Sequence, residues 1–242
     1  MKRCVEFIMG IVLLLAVFVL TGPFSSIWEE EAARTVSGGS EISAYKKELP
    51  VIVLDAGHGG RDPGKIGVNG ALEKEINLAL AQKVKALLEE SGAAEEVILT
   101  REDDEGLYDE TDSNKKAADL NERCRIIEES GADFVVSIHQ NSYTDGSVSG
   151  PQVFYYKNSE EGKLLAEAVQ EELNQVSAGG KTHSARANGN YYMLLHVACP
   201  IVIAECGFLS NGAEADKLAE EAYQEQLAEA ICRGILAYTE SL

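Results

Sequence analysis

Short apolar runs alternate with amphipathic ones along most of this chain. Val51–Leu54, Val97–Thr100, Phe134–Ile138, Gln152–Tyr156 and Ile201–Ala204 have the length and the β-branched or aromatic content of strands. Between them, apolar residues at helical spacing predict helices over about Glu73–Ser91, Asn114–Ser130, Glu160–Val176 and Ala222–Tyr238, the first two stopped by Gly92 and Gly131. Ser177–Asn190 reads as a loop, Tyr191–His196 is ambiguous, and Ser210-Asn211-Gly212 reads as a turn. Strands alternating with helices over about 195 residues predict a single α/β domain with one sizeable core.

The first residues follow another pattern. Met1-Lys2-Arg3 is basic, Phe7–Leu20 is continuously apolar, and no charge falls between residues 7 and 28. Residues 1–28 therefore read as a signal peptide or an N-terminal membrane anchor, with the basic end cytoplasmic and the bulk of the chain exported. No clean small-x-small pair follows the run, which favours the uncleaved anchor. Residues 29–48, polar with Glu29-Glu30-Glu31 and Ser37-Gly38-Gly39-Ser40, read as a linker, leaving 49–242 as the folded domain.

Charge narrows the function. A formal net charge of −19 repels phosphate backbones and argues against nucleic acid as a partner. The five cysteines, Cys4, Cys124, Cys199, Cys206 and Cys232, form no C-x-x-C pair, so neither a disulfide framework nor a zinc knuckle is expected.

Three of the apolar runs end in residues that bind metals or move protons. Val51–Leu54 leads into Asp55-Ala56-Gly57-His58-Gly59-Gly60, Phe134–Ile138 into His139-Gln140-Asn141, and Ile201–Ala204 into Glu205-Cys206-Gly207. In an α/β sheet, ligands bind beyond the carboxyl ends of strands, so His58, His139 and Glu205 are expected in one pocket. A hydrolytic zinc takes three protein ligands and keeps a position for water. The third should be a carboxylate near the glycine loop, and helix geometry separates the two candidates. At 100° per residue, Glu73 lies within about 60° of Ile76, Leu80, Val84 and Leu87, whereas Glu75 lies on average more than 100° away. Glu73 is thus expected to point inward and Glu75 to solvent. Glu205, on a strand apolar on both faces, should have a raised pKa suited to a general base; the bland alternative is a structural pair with Arg101 or Arg123. His183 and His196 end no buried strand and are expected to be non-ligands, with His183 able to line a cleft.

These residues carry a resemblance. Asp55–Gly60, Glu73-Lys74 with Asn77-Leu78, Thr100-Arg101 with Asp103, Leu120 with Arg123, Ser137-Ile138-His139-Gln140-Asn141 and Glu205-Cys206-Gly207-Phe208-Leu209-Ser210-Asn211 occur in order. Together they resemble the zinc-dependent N-acetylmuramoyl-L-alanine amidases of the type-3 catalytic-domain family over about residues 49–241. The resemblance implies a mixed, mostly parallel six-stranded sheet flanked by helices on both faces. It implies Zn2+ on His58, Glu73 and His139, Glu205 as the catalytic glutamate, and peptidoglycan as substrate, with Asn141 expected to touch it. An accessory or activator protein is implied by analogy, though no residue identifies one. Gln140 and Cys206 depart from the residues many members carry and could tune access. Only Ser142–Pro151 separates Asn141 from the next strand, which leaves little room for the blocking helix of the cell-division members. A short N-terminal segment before a bare catalytic domain is similar to the sporulation and germination amidases of the spore cortex.

Two other readings stay open at this point. One is a wall-binding protein that keeps the fold without turnover, and the other is a zinc peptidase or deacetylase using the same metal chemistry.

Overall fold

A computed structural model describes residues 49–177 and 180–242; the expected anchor and linker lie outside the described residues. The elements are β1 (Val51–Ala56), α1 (Glu73–Ser91), β2 (Glu96–Leu99), α2 (Lys115–Ser130), β3 (Phe134–Asn141), β4 (Gln152–Tyr156), α3 (Glu160–Gln175), β5 (Arg186–Asn188), α4 (Tyr192–His196), β6 (Ile201–Phe208), α5 (Gly212–Leu218) and α6 (Glu221–Ser241). One six-stranded sheet runs in the order β2-β1-β3-β6-β4-β5. The first four strands are mutually parallel, β4 is antiparallel to β6, and β5 is parallel to β4. Helices cover both faces, as the resemblance implies.

The alternation of side chains along each strand decides which face receives which chemistry. Ile52, Leu54 and Ala56 of β1, Phe134, Val136 and Ile138 of β3, and Val202, Ala204 and Cys206 of β6 pack in one core with α1, α3 and α6. Their neighbours Val53, Val135, Ile201 and Ile203 pack in a smaller core with α2 and α4. Continuing that second parity places Asp55, Ser137, His139 and Glu205 toward the α2 and α4 side. The register aligns them: Asp55 lies opposite Ser137, and His139 opposite Glu205. Cys206 falls on the other face, wholly buried in the larger core.

β6 is buried along its full length, as a central strand must be. α1 buries Ile76, Leu80, Ala81, Val84 and Leu88, with Leu87 only partly covered. One segment differs from expectation. Arg186–Asn188, inside the expected loop, forms β5; Arg186, Ala187 and Asn188, mostly exposed, are too short a run to show an alternation that would announce it. Ser210-Asn211-Gly212 is the expected turn and runs into α5 at Gly212, Asn211 capping the helix by accepting a hydrogen bond from the Glu214 amide. The ambiguous stretch becomes the five-residue α4. No helix among the described residues is long and apolar enough to cross a membrane.

Candidate metal centre

His58, Glu73 and His139 come from three elements and meet at the carboxyl end of the sheet. His58 leaves β1 with φ +63°, a left-handed conformation that costs a non-glycine residue energy and is held only by its surroundings. Gly57 beside it lets the histidines close up, since a Cβ there would stand 2.1 Å from the His139 ring. A Cβ on Gly64 would likewise strike the Glu73 carboxylate at 2.6 Å. Glu73 opens α1 and is 3 % exposed, whereas Glu75 faces solvent. The inward carboxylate is the one on the apolar side of the helix.

One oxygen of that carboxylate sits between the two rings. Glu73 Oε1 lies 3.1 Å from His58 Nε2 and 3.0 Å from His139 Nδ1, and it accepts from the Gln140 amide at 3.1 Å. Its Oε2 accepts from the Lys65 amide at 2.6 Å. Asn77 Nδ2 lies 3.4 Å from Oε1, and Gln140 Nε2 donates to Asn77 Oδ1. Gln140 therefore helps to fix the carboxylate through Asn77, whereas Cys206 lies in the core on the other face of the sheet. On the outer side, Asp62 Oδ2 lies 2.8 Å from His58 Nδ1. Asp62 and Asn77 take supporting parts that their residue types do not announce; their offsets of four residues from His58 and from Glu73 are the available signal.

The electrostatics follow from these contacts. Burial alone would lower the His58 imidazole, but Glu73 and Asp62 on its two nitrogens outweigh it and push it up to about 9. Burial alone would raise Glu73, yet the two imidazoles hold it well below the usual carboxylate range. Glu205 is the opposite case. Burial pushes its carboxyl up to about 7, His139 opposing and Glu73 adding to the rise. Its Oε2 is buried without a hydrogen-bond partner among the described residues. The structural alternative for Glu205 does not hold, because Arg101 and Arg123 are turned to Asp55 and to backbone carbonyls.

Glu205 lines a cleft of about 440 Å3 together with His58, Glu73, His139 and Asn141. His183 and His196 are elsewhere: His183 Nε2 lies 3.0 Å from the Ser149 carbonyl, and His196 stacks on Tyr192 at 3.9 Å. The donors of His58, Glu73 and His139 all lie within 4.8 Å of one another, the only such group of three among the described residues. Two imidazole nitrogens and one carboxylate oxygen fit zinc better than calcium or magnesium, which favour all-oxygen sets. The Glu73 oxygen already midway between two nitrogens is what a cation would be expected to separate.

In sequence and in fold the chain is similar to known proteins. The family model described as N-acetylmuramoyl-L-alanine amidase matches residues 52–237. The germination-specific N-acetylmuramoyl-L-alanine amidase of Bacillus subtilis is 39% identical over 191 residues, covering 78% of this chain and 79% of that protein. The CwlD amidase of Clostridioides difficile, solved in complex with the GerS lipoprotein, superposes with a TM-score of 0.75 at 40% identity, covering 80% of this chain and all of that one. The catalytic domain of CwlV, an N-acetylmuramoyl-L-alanine amidase from Paenibacillus polymyxa, gives 0.69 at 32% identity over 79% of this chain and 99% of its own. By sequence over nearly the whole described domain, and by fold, this chain belongs to the N-acetylmuramoyl-L-alanine amidase family.

Proposed function

We propose that this protein is a zinc-dependent hydrolase of the amide between the lactyl group of N-acetylmuramic acid and the L-alanine that begins the stem peptide. The observation that carries the reading is the convergence of His58, Glu73 and His139 in a cleft whose wall holds a buried, partner-poor Glu205. His58, Glu73 and His139 would hold the ion. When bound, zinc supplies a Lewis acid that polarises the scissile carbonyl and acidifies water at the site.

The chain's own groups then have distinct tasks. Asp62, accepting from His58 Nδ1, leaves Nε2 free to face the ion and keeps the ring from turning. The Lys65 and Gln140 amides hold the Glu73 carboxylate from two sides. Glu205 takes the proton of the attacking water on its free oxygen and returns it to the leaving nitrogen, so that the stem peptide departs as a neutral amine. Burial, which disfavours the charged form, raises this carboxyl toward the range in which it can both accept and return a proton. Asn141 lines the same cleft and is placed to hydrogen-bond the substrate's amide or sugar groups.

Residues 1–28 would carry the chain out of the cytoplasm and anchor it, and 29–48 would tether the catalytic domain of 49–242 at the outer face of the membrane or in the spore-cortex space. The germination-specific relative supports a role in cortex peptidoglycan. The CwlD complex with a lipoprotein supports an accessory partner on the same side of the membrane.

The test is mass spectrometry of purified peptidoglycan after digestion. The expected product is free stem peptide with N-terminal alanine, absent with chelator and restored by zinc. Peptides cut internally would mean a peptidase, loss of acetyl groups a deacetylase, and unchanged wall a binding protein.

A further inference from the structure

On the α1 side of the sheet, two buried carboxamides adjoin the metal centre. Asn77, one turn after Glu73 in α1, is 0 % exposed, and Gln140, the residue after His139 in β3, is 4 % exposed. Gln140 Nε2 donates to Asn77 Oδ1 at 3.2 Å. Asn77 Nδ2 in turn donates to the Gly57 carbonyl at 3.0 Å and lies 3.4 Å from Glu73 Oε1.

The direction of this chain of hydrogen bonds is fixed by its far end. A carbonyl and an ionised carboxylate can only accept, so Asn77 must turn its Nδ2 toward them and its Oδ1 toward Gln140. Gln140 must then present its Nε2, which leaves its own Oε1 turned away. That oxygen is buried with no hydrogen-bond partner among the described residues, and the group beside it is the Cys206 thiol, a weak donor. An unpartnered buried oxygen disfavours the fold, and an apolar side chain of the same size would carry no such penalty. The glutamine is therefore explained by what its nitrogen holds.

What it holds is common to all three ligand positions. Gly57 precedes His58, Glu73 is itself one of the donors, and Gln140 follows His139, its backbone amide donating to Glu73 Oε1 at 3.1 Å. The two carboxamides thus join the ends of β1 and β3 to the first turn of α1, the three elements that bring the donors together.

We propose that Asn77 and Gln140 are positioning residues that set the affinity of the site for zinc and do not stabilise the metal-free fold. This rests on the reading of His58, Glu73 and His139 as the ligands. Replacing groups that orient metal ligands typically weakens metal binding by about 10–100-fold.

The experiment measures the zinc dissociation constant, by competition with a chromophoric chelator, and the thermal melt in chelator. The proteins are the wild type, Gln140→Met, and Asn77→Leu combined with Gln140→Met. The single variant exchanges one unpartnered buried oxygen for another, Asn77 Oδ1 for Gln140 Oε1, so its metal-free melt should stay near wild type. The double variant strands no acceptor, since the Gly57 carbonyl keeps Arg101 Nη2 and Glu73 Oε1 keeps the Gln140 backbone amide. It should melt at or above wild type. Zinc should nonetheless bind about tenfold more weakly to the single variant and about a hundredfold more weakly to the double. Unchanged zinc affinity in both variants, or melts that fall in step with affinity, would overturn the proposal. Wild type that binds no zinc would overturn it together with the metal centre. Zinc-binding wild type that releases no stem peptide from peptidoglycan would fail the reaction assignment alone, and the weakened zinc binding of the variants would still support the positioning role.

Discussion

Two polar clusters sit side by side at the carboxyl ends of the same strands, and they are built in opposite ways. In the first, buried Asp55 accepts from Thr100 Oγ1 at 2.7 Å, Ser137 Oγ at 2.6 Å and Arg123 Nη1 at 2.7 Å. Arg123 reaches on to the carbonyls of Ala56 and His58, and Arg101 to those of Ala56, Gly57 and Lys74. Every charge there has a partner, and the two guanidiniums clamp the carbonyls of residues 56–58, which holds His58 in its left-handed turn. In the second cluster, Glu73 crowds two imidazoles and Glu205 keeps a buried oxygen without a partner. A satisfied buried network specifies structure, and an unsatisfied one beside it marks where an external group must enter. The first cluster holds the second in position.

The largest effects should come from the second cluster. His58→Ala and His139→Ala are each expected to lose bound zinc and, with it, detectable amidase activity; zinc content of purified protein by atomic emission checks this, and full zinc content in both variants would remove them as ligands. Glu205→Gln should retain zinc but lose activity by about 10²–10⁴-fold, the range for a missing general acid–base. Wild-type turnover in that variant would mean that Glu205 moves no proton.

The contrast also explains what could be read in the sequence. His58 and His139 are legible as candidate ligands because each is a chemically marked residue at the end of an apolar run, and Glu73 because helix angle alone divides it from Glu75. Strand and helix alternation gave the α/β class, and the parity of β6 put Glu205 and Cys206 on opposite faces. The supporting cluster was not legible in its role. Arg101 and Arg123 act through carbonyls of Ala56, Gly57 and His58, and backbone acceptors leave no trace in residue identity. Asp62 and Asn77 act at four-residue offsets that many uninvolved acids and amides share. β5 escaped because its pairing with β4 is set by backbone register and not by a pattern of its own.

Breaking the first cluster should cost stability. Asp55→Asn leaves the Arg123 guanidinium buried with only Asp119 as a carboxylate, and loss of one partner of a buried pair typically costs about 3–5 kcal/mol. Urea unfolding at neutral pH measures it. The pH dependence gives a second reading. Burial alone would raise Asp55, but Arg123, with Ser137 and Thr100, holds its carboxyl far below the usual range. The unfolded aspartate titrates near pH ~4, so the folded state's advantage is complete above that and drains away as pH falls toward the lower folded value. The gap between wild type and Asp55→Asn should therefore narrow from pH 5 to pH 2; a constant gap would mean that the carboxylate's charge is not what the network uses.

The smallest effect has the opposite sign and tests the comparison most directly. Glu205 ionises near 7 in the folded chain, because burial disfavours its charge, whereas the unfolded glutamate ionises near ~4.3. Above that lower value the unfolded state gains stability by releasing a proton that the fold retains, so this one residue makes the metal-free wild type lose stability as pH rises from about 4.5 to about 7. Glu205→Gln removes the ionisation. In chelator-treated protein at pH 8 it should be more stable than wild type, by about 2 kcal/mol allowing for the relaxation that buried charges induce, and the difference should vanish near pH 4.5. Thermal melts at the two pH values read it. A variant that disables the enzyme while stabilising its fold identifies a carboxylate that the structure bears as a burden and the reaction requires, whereas a loss of stability at pH 8 would put Glu205 with Asp55, among the groups that hold the sheet together.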